Sequence, residues 1–189
     1  MFHSSVSSNP QVPLNCNLQN QAVQLHKDGQ YEKEEVALLN ALERKIATSG
    51  AQSHTVALTK NSLGELYIDM GRLNEAQKFL EEAEIVRKDG AVSDLVCTRD
   101  NLGRLYEMKG DHEKAIKWRT MGAPNEMVCS HYQCPKMINA AKLSKYAELQ
   151  HCARCKCVFY CGTVCQKKDW TRHKKYCQAP TSTVAPVRL

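Results

Sequence analysis

Eight residues near the C-terminus decide what this chain can fold into: Cys129, Cys134, Cys152, Cys155, Cys161, Cys165, His173 and Cys177. They form four spaced pairs, C-x4-C, C-x2-C, C-x3-C and H-x3-C. Two tetrahedral zinc ions need eight thiolate or imidazole ligands, and the pattern offers that number. A segment this short buries too little apolar surface to fold alone, so metal must supply much of its folding free energy. With protein ligands at all four positions, neither ion keeps a place for water, which marks structural rather than catalytic zinc. Spacing leaves the pairing open between sequential and interleaved arrangements. Cys157, His131 and His151 lie beside ligands and are read as neighbours of the sites.

The remaining composition narrows the setting. No run of about 18 apolar residues occurs, so no membrane-spanning helix is expected. Met1 to Asn15 lacks the basic and apolar regions of a secretory signal. An intracellular chain, nuclear or cytoplasmic, is therefore expected, and in that setting ten cysteines read as metal ligands rather than disulfides. The net charge of +6 is uneven, with eleven Lys and Arg against two acids from Cys129 onward. Seven thiolates and two Zn2+ would remove about three of those positive charges, which weakens any argument from bulk charge. Lys167, Lys168, Arg172, Lys174 and Lys175 make a basic helix surface. They interleave with the ligands and lack a C2H2 recognition-helix spacing, so a solvated face is expected and nucleic acid is not.

The chain divides into a polar lead-in (1–15), a helical repeat region (16–122), the zinc module (125–177) and a polar tail (178–189), the two ends being expected to be disordered. The repeats show as self-similar segments beginning at Ala22, Leu63 and Leu102, with central glycines Gly29, Gly71 and Gly110 spaced 42 and 39 residues apart. An amphipathic helix precedes each of these glycines and another follows. In the second unit Val56, Leu63, Leu66, Tyr67 and Met70 form one apolar face, and Leu73, Ala76, Leu80 and Ala83 the facing one. Gly71 and Gly110 end their helices where a left-handed residue is needed, and Asp111 caps the next helix. Gly64 and Gly103 sit inside helices, which implies close approach of a partner helix.

Leu63, Gly64, Tyr67, Gly71, Ala76 and Ala83, echoed by Leu102, Gly103, Tyr106, Gly110 and Ala115, resemble the tetratricopeptide repeat. The long spacing is similar to the variety found in kinesin light chains. The resemblance implies a mainly α fold, an α-solenoid of about three helix pairs. Its concave groove would present Asn61, Asn101 and Arg104 to a peptide. Arg119 and Gly122 stand where large apolar and alanine residues are usual, so the zinc module is expected to cap that end.

Residues 152–177, with Tyr160 before the fifth ligand and Cys165, Gln166, Asp169 and Trp170 in order, resemble the MYND-type zinc finger. That resemblance implies a small module with a short β-hairpin and helices. It also implies interleaved metals: Cys129, Cys134, Cys161 and Cys165 on one zinc, Cys152, Cys155, His173 and Cys177 on the other. A short helix is expected within Lys136–Leu149. The family likeness further implies binding of short proline-containing peptides by Gln166, Trp170 and a strand at Val158–Tyr160. Together these readings predict a non-enzymatic protein-interaction adaptor. The alternatives are a MYND-associated nucleic-acid-binding regulator or one piece of a larger MYND protein.

Overall fold

The computed structural model describes residues 21–140 and 142–179. The lead-in 1–15 and nearly all of the tail therefore lie outside the described residues. A helical stretch over residues 21–27 is followed by α1 (Tyr31–Ser49), α2 (His54–Asp69), α3 (Leu73–Arg87), α4 (Val92–Met108) and α5 (His112–Arg119). After these come α6 (Pro135–Ala140), a 3-10 turn (Tyr146–Glu148), β1 (Gln150–His151), β2 (Phe159–Tyr160) and α7 (Thr163–His173). Among the described residues no helix is long and apolar enough to cross a membrane.

The helical part is a stack of antiparallel pairs, each turned by a glycine in the left-handed region. Gly29, Gly71 and Gly110 have φ of 69°, 75° and 79°. At Gly71 the amide donates to the Ile68 carbonyl and the Arg72 amide to the Tyr67 carbonyl. This is the paired hydrogen-bond closure of a helix whose next residue must be left-handed. The Gly29 and Gly110 turns repeat it. Asp111 caps α5 as expected, its carboxylate accepting from the Lys114 amide at 3.0 Å.

The two apolar faces read from the second unit pack on each other. Val56, Leu63, Leu66, Ala76, Leu80 and Ala83 are all buried, and Met70 and Leu73 lie at the margin. Each fully buried leucine contributes about 1.5–3 kcal/mol. The core runs on through Leu102 and Leu105 of α4. A second core then joins Tyr106, Ala115 and Ile116 of the last helix pair to the cysteine cluster, Val158 and Tyr160. The zinc module thus covers the end of the stack, as the irregular residues Arg119 and Gly122 foretold.

Both intrahelical glycines serve close packing. A Cβ on Gly64 would overlap the Leu80 side chain, and one on Gly103 would stand 2.5 Å from Arg119 Cγ. Alanine would gain about 1 kcal/mol of helix propensity at Gly64. Overpacking a filled core costs about 1–3 kcal/mol. Gly64→Ala is therefore expected to lower stability on balance, read as a reduced denaturation midpoint at unchanged helicity. A raised midpoint would refute the packing account.

Candidate metal centres

The metal ligands come from three local structures. A tight loop carries Cys129 and Cys134, closed by the Cys134 amide on the His131 carbonyl at 2.8 Å. Cys152 and Cys155 lie on a turn between the strands, closed by the Lys156 amide on the Cys152 carbonyl at 2.9 Å, with Lys156 at a φ of 59°. Helix α7 carries Cys165 in its first turn and His173 at its end, and the turn after it brings in Cys177. Cys161 lies just before α7, after β2.

Two four-residue sets result: Cys129, Cys134, Cys161 and Cys165, and Cys152, Cys155, His173 and Cys177. In each, the ligand atoms all lie within 4.8 Å of one another. Sulfur pairs are 3.6 Å apart for Cys134–Cys161, 3.5 Å for Cys161–Cys165 and 3.7 Å for Cys152–Cys177. Cys155 Sγ is 3.5 Å from His173 Nε2. A tetrahedron with Zn–S bonds of about 2.3 Å has edges of roughly 3.7 Å, so the donors fit zinc. The two sets could each hold one Zn2+ in the interleaved arrangement, and α7 is the reason. Cys165 and His173 are eight residues apart, about 12 Å along a helix. Sequential pairing would require both on one ion, which that rise forbids.

His131 is buried, His151 is exposed, and both stay outside the ligand sets. Cys157 also stays outside, though its Sγ is 3.5 Å from that of Cys155.

A buried polar network joins the finger to the last repeat. Arg119, 4% exposed, donates from Nη1 to the Cys157 carbonyl (2.6 Å), from Nε to Asp100 (3.0 Å) and from Nη2 to Glu107 (2.9 Å). Gly103 leaves the room through which Arg119 passes. Asp100 also accepts from Ser130 Oγ at 3.0 Å, and His112 Nε2 donates to the Tyr176 carbonyl at 3.1 Å. On the finger side Asp169 accepts from Tyr160 Oη (2.7 Å) and from Arg172. Glu107, fully buried at the end of α4, accepts from Arg119, Arg172 and His173. Burial alone would raise its carboxyl. Arg119, the His173 hydrogen bond and Arg172 outweigh that and hold it well below the usual carboxylate range. Asp169 belongs to the finger's Cys-Gln-x-x-Asp-Trp run, whereas Asp100 and Glu107 carry no motif; the sequence signals for their part of the seam were Arg119 at an apolar position and Gly103 opposite it.

The expected peptide-binding residues divide. Trp170 is 45% exposed, with its ring centroid 5.8 Å from that of His173 in an edge arrangement, and Gln166 is half-buried. Val158 and Tyr160 are placed differently. Both side chains are buried, and their strand has no open edge. On one side Gln150 pairs with Tyr160, and the Cys152 amide donates to the Val158 carbonyl. On the other, Ser130 takes both backbone groups of Phe159. The described groups leave the outer edge of β1, at Gln150–His151, as the side of the sheet away from β2.

The groove residues are engaged with one another. Asn61 is buried; its oxygen accepts from Thr98 and Asn101, and its nitrogen donates to Glu65. Arg104 pairs with Asp69, and its guanidinium lies 5.9 Å from the ring of Tyr132, which reaches over from the first ligand loop. Beyond Tyr132 a cavity of about 200 Å³ remains, lined by His26, Glu34, Leu38 and Glu65.

Comparison with known proteins agrees with the geometry. The MYND finger family matches residues 129–177, and a tetratricopeptide repeat family matches residues 56–88. The chain thus carries a MYND zinc finger and a tetratricopeptide repeat, modules that mediate protein–protein interactions. A SET and MYND domain-containing protein of Dictyostelium discoideum is 39% identical over 56 residues, 30% of this chain and 10% of that protein. The N-lysine methyltransferase SMYD2-B of Danio rerio is 55% identical over 31 residues, 16% of this chain and 7% of the enzyme. The chain thus spans a tenth or less of these relatives, and the likeness to the methyltransferases runs through the finger alone. The crystal structure of BtubC (BKLC) from P. vanneervenii is similar at a TM-score of 0.53 and 30% identity, over 55% of this chain and 43% of that one.

The double variant Cys134→Ser, Cys165→Ser is expected to keep one zinc by native mass spectrometry, because both residues serve one ion. Loss of both would favour sequential pairing. His26 gives a pH effect. Its hydrogen bond to Glu34, against the opposing effect of burial, and the charges of Glu34, Asp69 and Glu65 raise its pKa. A raised folded value stabilises fully below about pH 6.5 and is lost as pH rises through that value. His26→Gln should flatten the fall in stability across that window, by roughly 0.5 kcal/mol or less for a half-buried pair. An unchanged slope would count against it.

Proposed function

We propose that this chain is an intracellular, non-enzymatic adaptor whose zinc ions hold a peptide-recognition surface on the finger. The observation that carries the reading is Trp170. The finger buries Val158, Phe159 and Tyr160, yet leaves this indole 45% exposed with its edge against zinc-ligating His173. An aromatic ring held in place at its base and open on top receives a proline or leucine at low entropic cost. Gln166, one turn earlier on α7, supplies an amide for the peptide backbone. An extended segment of a proline-containing partner would then lie across α7, and the outer edge of β1 is available for backbone hydrogen bonds.

The repeat groove is a second, shorter peptide surface in this reading. Its open part is the cavity beside His26, Glu34 and Tyr132, since Asn61, Asn101 and Arg104 are already bonded to neighbouring side chains.

The discriminating variant is Trp170→Ala. It is expected to retain two zincs and the wild-type helicity while binding a proline-rich peptide at least tenfold more weakly by fluorescence anisotropy. Unaltered peptide affinity in a fully metallated variant would remove this surface from the reading.

A further inference from the structure

We propose that Glu107, at the end of the last repeat's first helix, completes the second zinc site by fixing its histidine ligand, so that the finger's hold on one of its two metals depends on the repeat stack. His173 Nε2 faces the cysteine cluster, 3.5 Å from Cys155 Sγ, and its Nδ1 lies 2.7 Å from Glu107 Oε1. An imidazole that ligates metal through Nε2 carries its remaining proton on Nδ1. Glu107 accepts that proton's hydrogen bond, which sets both the tautomer and the rotation of the ring. Outer-sphere partners of this kind typically change metal affinity 10–100-fold when removed.

Glu107 is suited to the task because it is itself immobile. It has no exposed surface, and Arg119 and Arg172 anchor its two oxygens at 2.9 and 3.1 Å. Those guanidinium groups also settle the charge. Three thiolates and one Zn2+ leave this site formally near −1, and a bare carboxylate beside it would be repelled. Arg119 comes from the repeat stack and Arg172 from the finger, so the carboxylate is neutralised from both sides of the seam. The other site has four sulfurs and no imidazole, hence no nitrogen for such a partner. The two metals therefore differ in what they require: only the second has a ligand whose outer nitrogen is held by α4. Docking and metal loading at the second site are then linked equilibria, each strengthening the other.

The test uses the full chain loaded with 113Cd and, separately, with zinc. Wild type should give two cadmium resonances, one for four sulfurs and one for three sulfurs and a nitrogen. Glu107→Gln is expected to shift the sulfur–nitrogen resonance alone and to weaken one of two zincs about tenfold in chelator competition. Glu107→Ala should weaken that zinc further, toward 100-fold. Asp100→Asn is the control, because it loosens the seam through Arg119 and Ser130 without touching His173. Through the linkage to docking it should weaken the second zinc less than Glu107→Gln does, and it should leave the sulfur–nitrogen resonance in place. Equal weakening of both metals in Glu107→Gln, or no weakening of either, would overturn the proposal. So would a selective loss in Asp100→Asn equal to that in Glu107→Gln, since docking alone would then explain it. Should Glu107→Ala fail to fold, the Gln variant and the resonance shift decide the matter.

Discussion

Everything C-terminal to the repeats depends on the cross-bracing of one short helix by two metal ions. Helix α7 has eleven residues, too few to be stable alone in water. Its first turn is tied through Cys165 to the loop at Cys129–Cys134, and its last residue through His173 to the turn at Cys152–Cys155. Because the ligand pairs interleave, neither ion can be lost without freeing a segment that the other does not hold. The hairpin of β1 and β2, two residues a side, has no independent stability and is likewise held by its flanking ligands. The finger's own apolar cluster is small, built on Met127, Leu149 and Phe159, and against it the exposed indole of Trp170 stands out.

The repeat stack solves the converse problem. It has an apolar core, but the stack must end, and a bare last repeat would expose apolar surface. Here Tyr106, Ala115 and Ile116 continue directly into the packing around the cysteines. The finger, whose own cluster is small, shares a second core with the repeat that needs a cap.

Much of this was legible in the chain. Ligand number and spacing gave the two metals, because zinc chemistry restricts donor type and count severely. Glycine positions gave the helix ends, because few other residues tolerate φ near +75°. The interleaved pairing follows from spacing only once Cys165 and His173 are known to share a helix, which the H-x3-C pattern alone does not state. The burial of Val158 and Tyr160 and the filled edges of their strand were not legible. A family likeness supplies a strand but not the neighbours that fill its edges, and Ser130, 29 residues from Phe159, fills one of them. Glu107 and Asp100 were invisible for a related reason. An acid on a helix surface reads as solvent-facing, and only the fold brings arginines from elsewhere to meet it.

The seam itself raises the question of why charge is buried where leucine would serve. Ion pairs taken out of water often gain nothing over apolar packing, and breaking one partner costs about 3–5 kcal/mol. What the charges add is direction. Leucine at position 119 would accept many orientations of the finger, whereas a guanidinium that must satisfy Asp100, Glu107 and the Cys157 carbonyl together accepts very few. The Cys157 carbonyl lies two residues from ligand Cys155, and Glu107 meets ligand His173, so the seam is registered against the second metal site. A finger docked in any other orientation would leave the buried Arg119 guanidinium without these partners. The network thus fixes the orientation of the finger on the last repeat, a property that apolar burial alone does not specify.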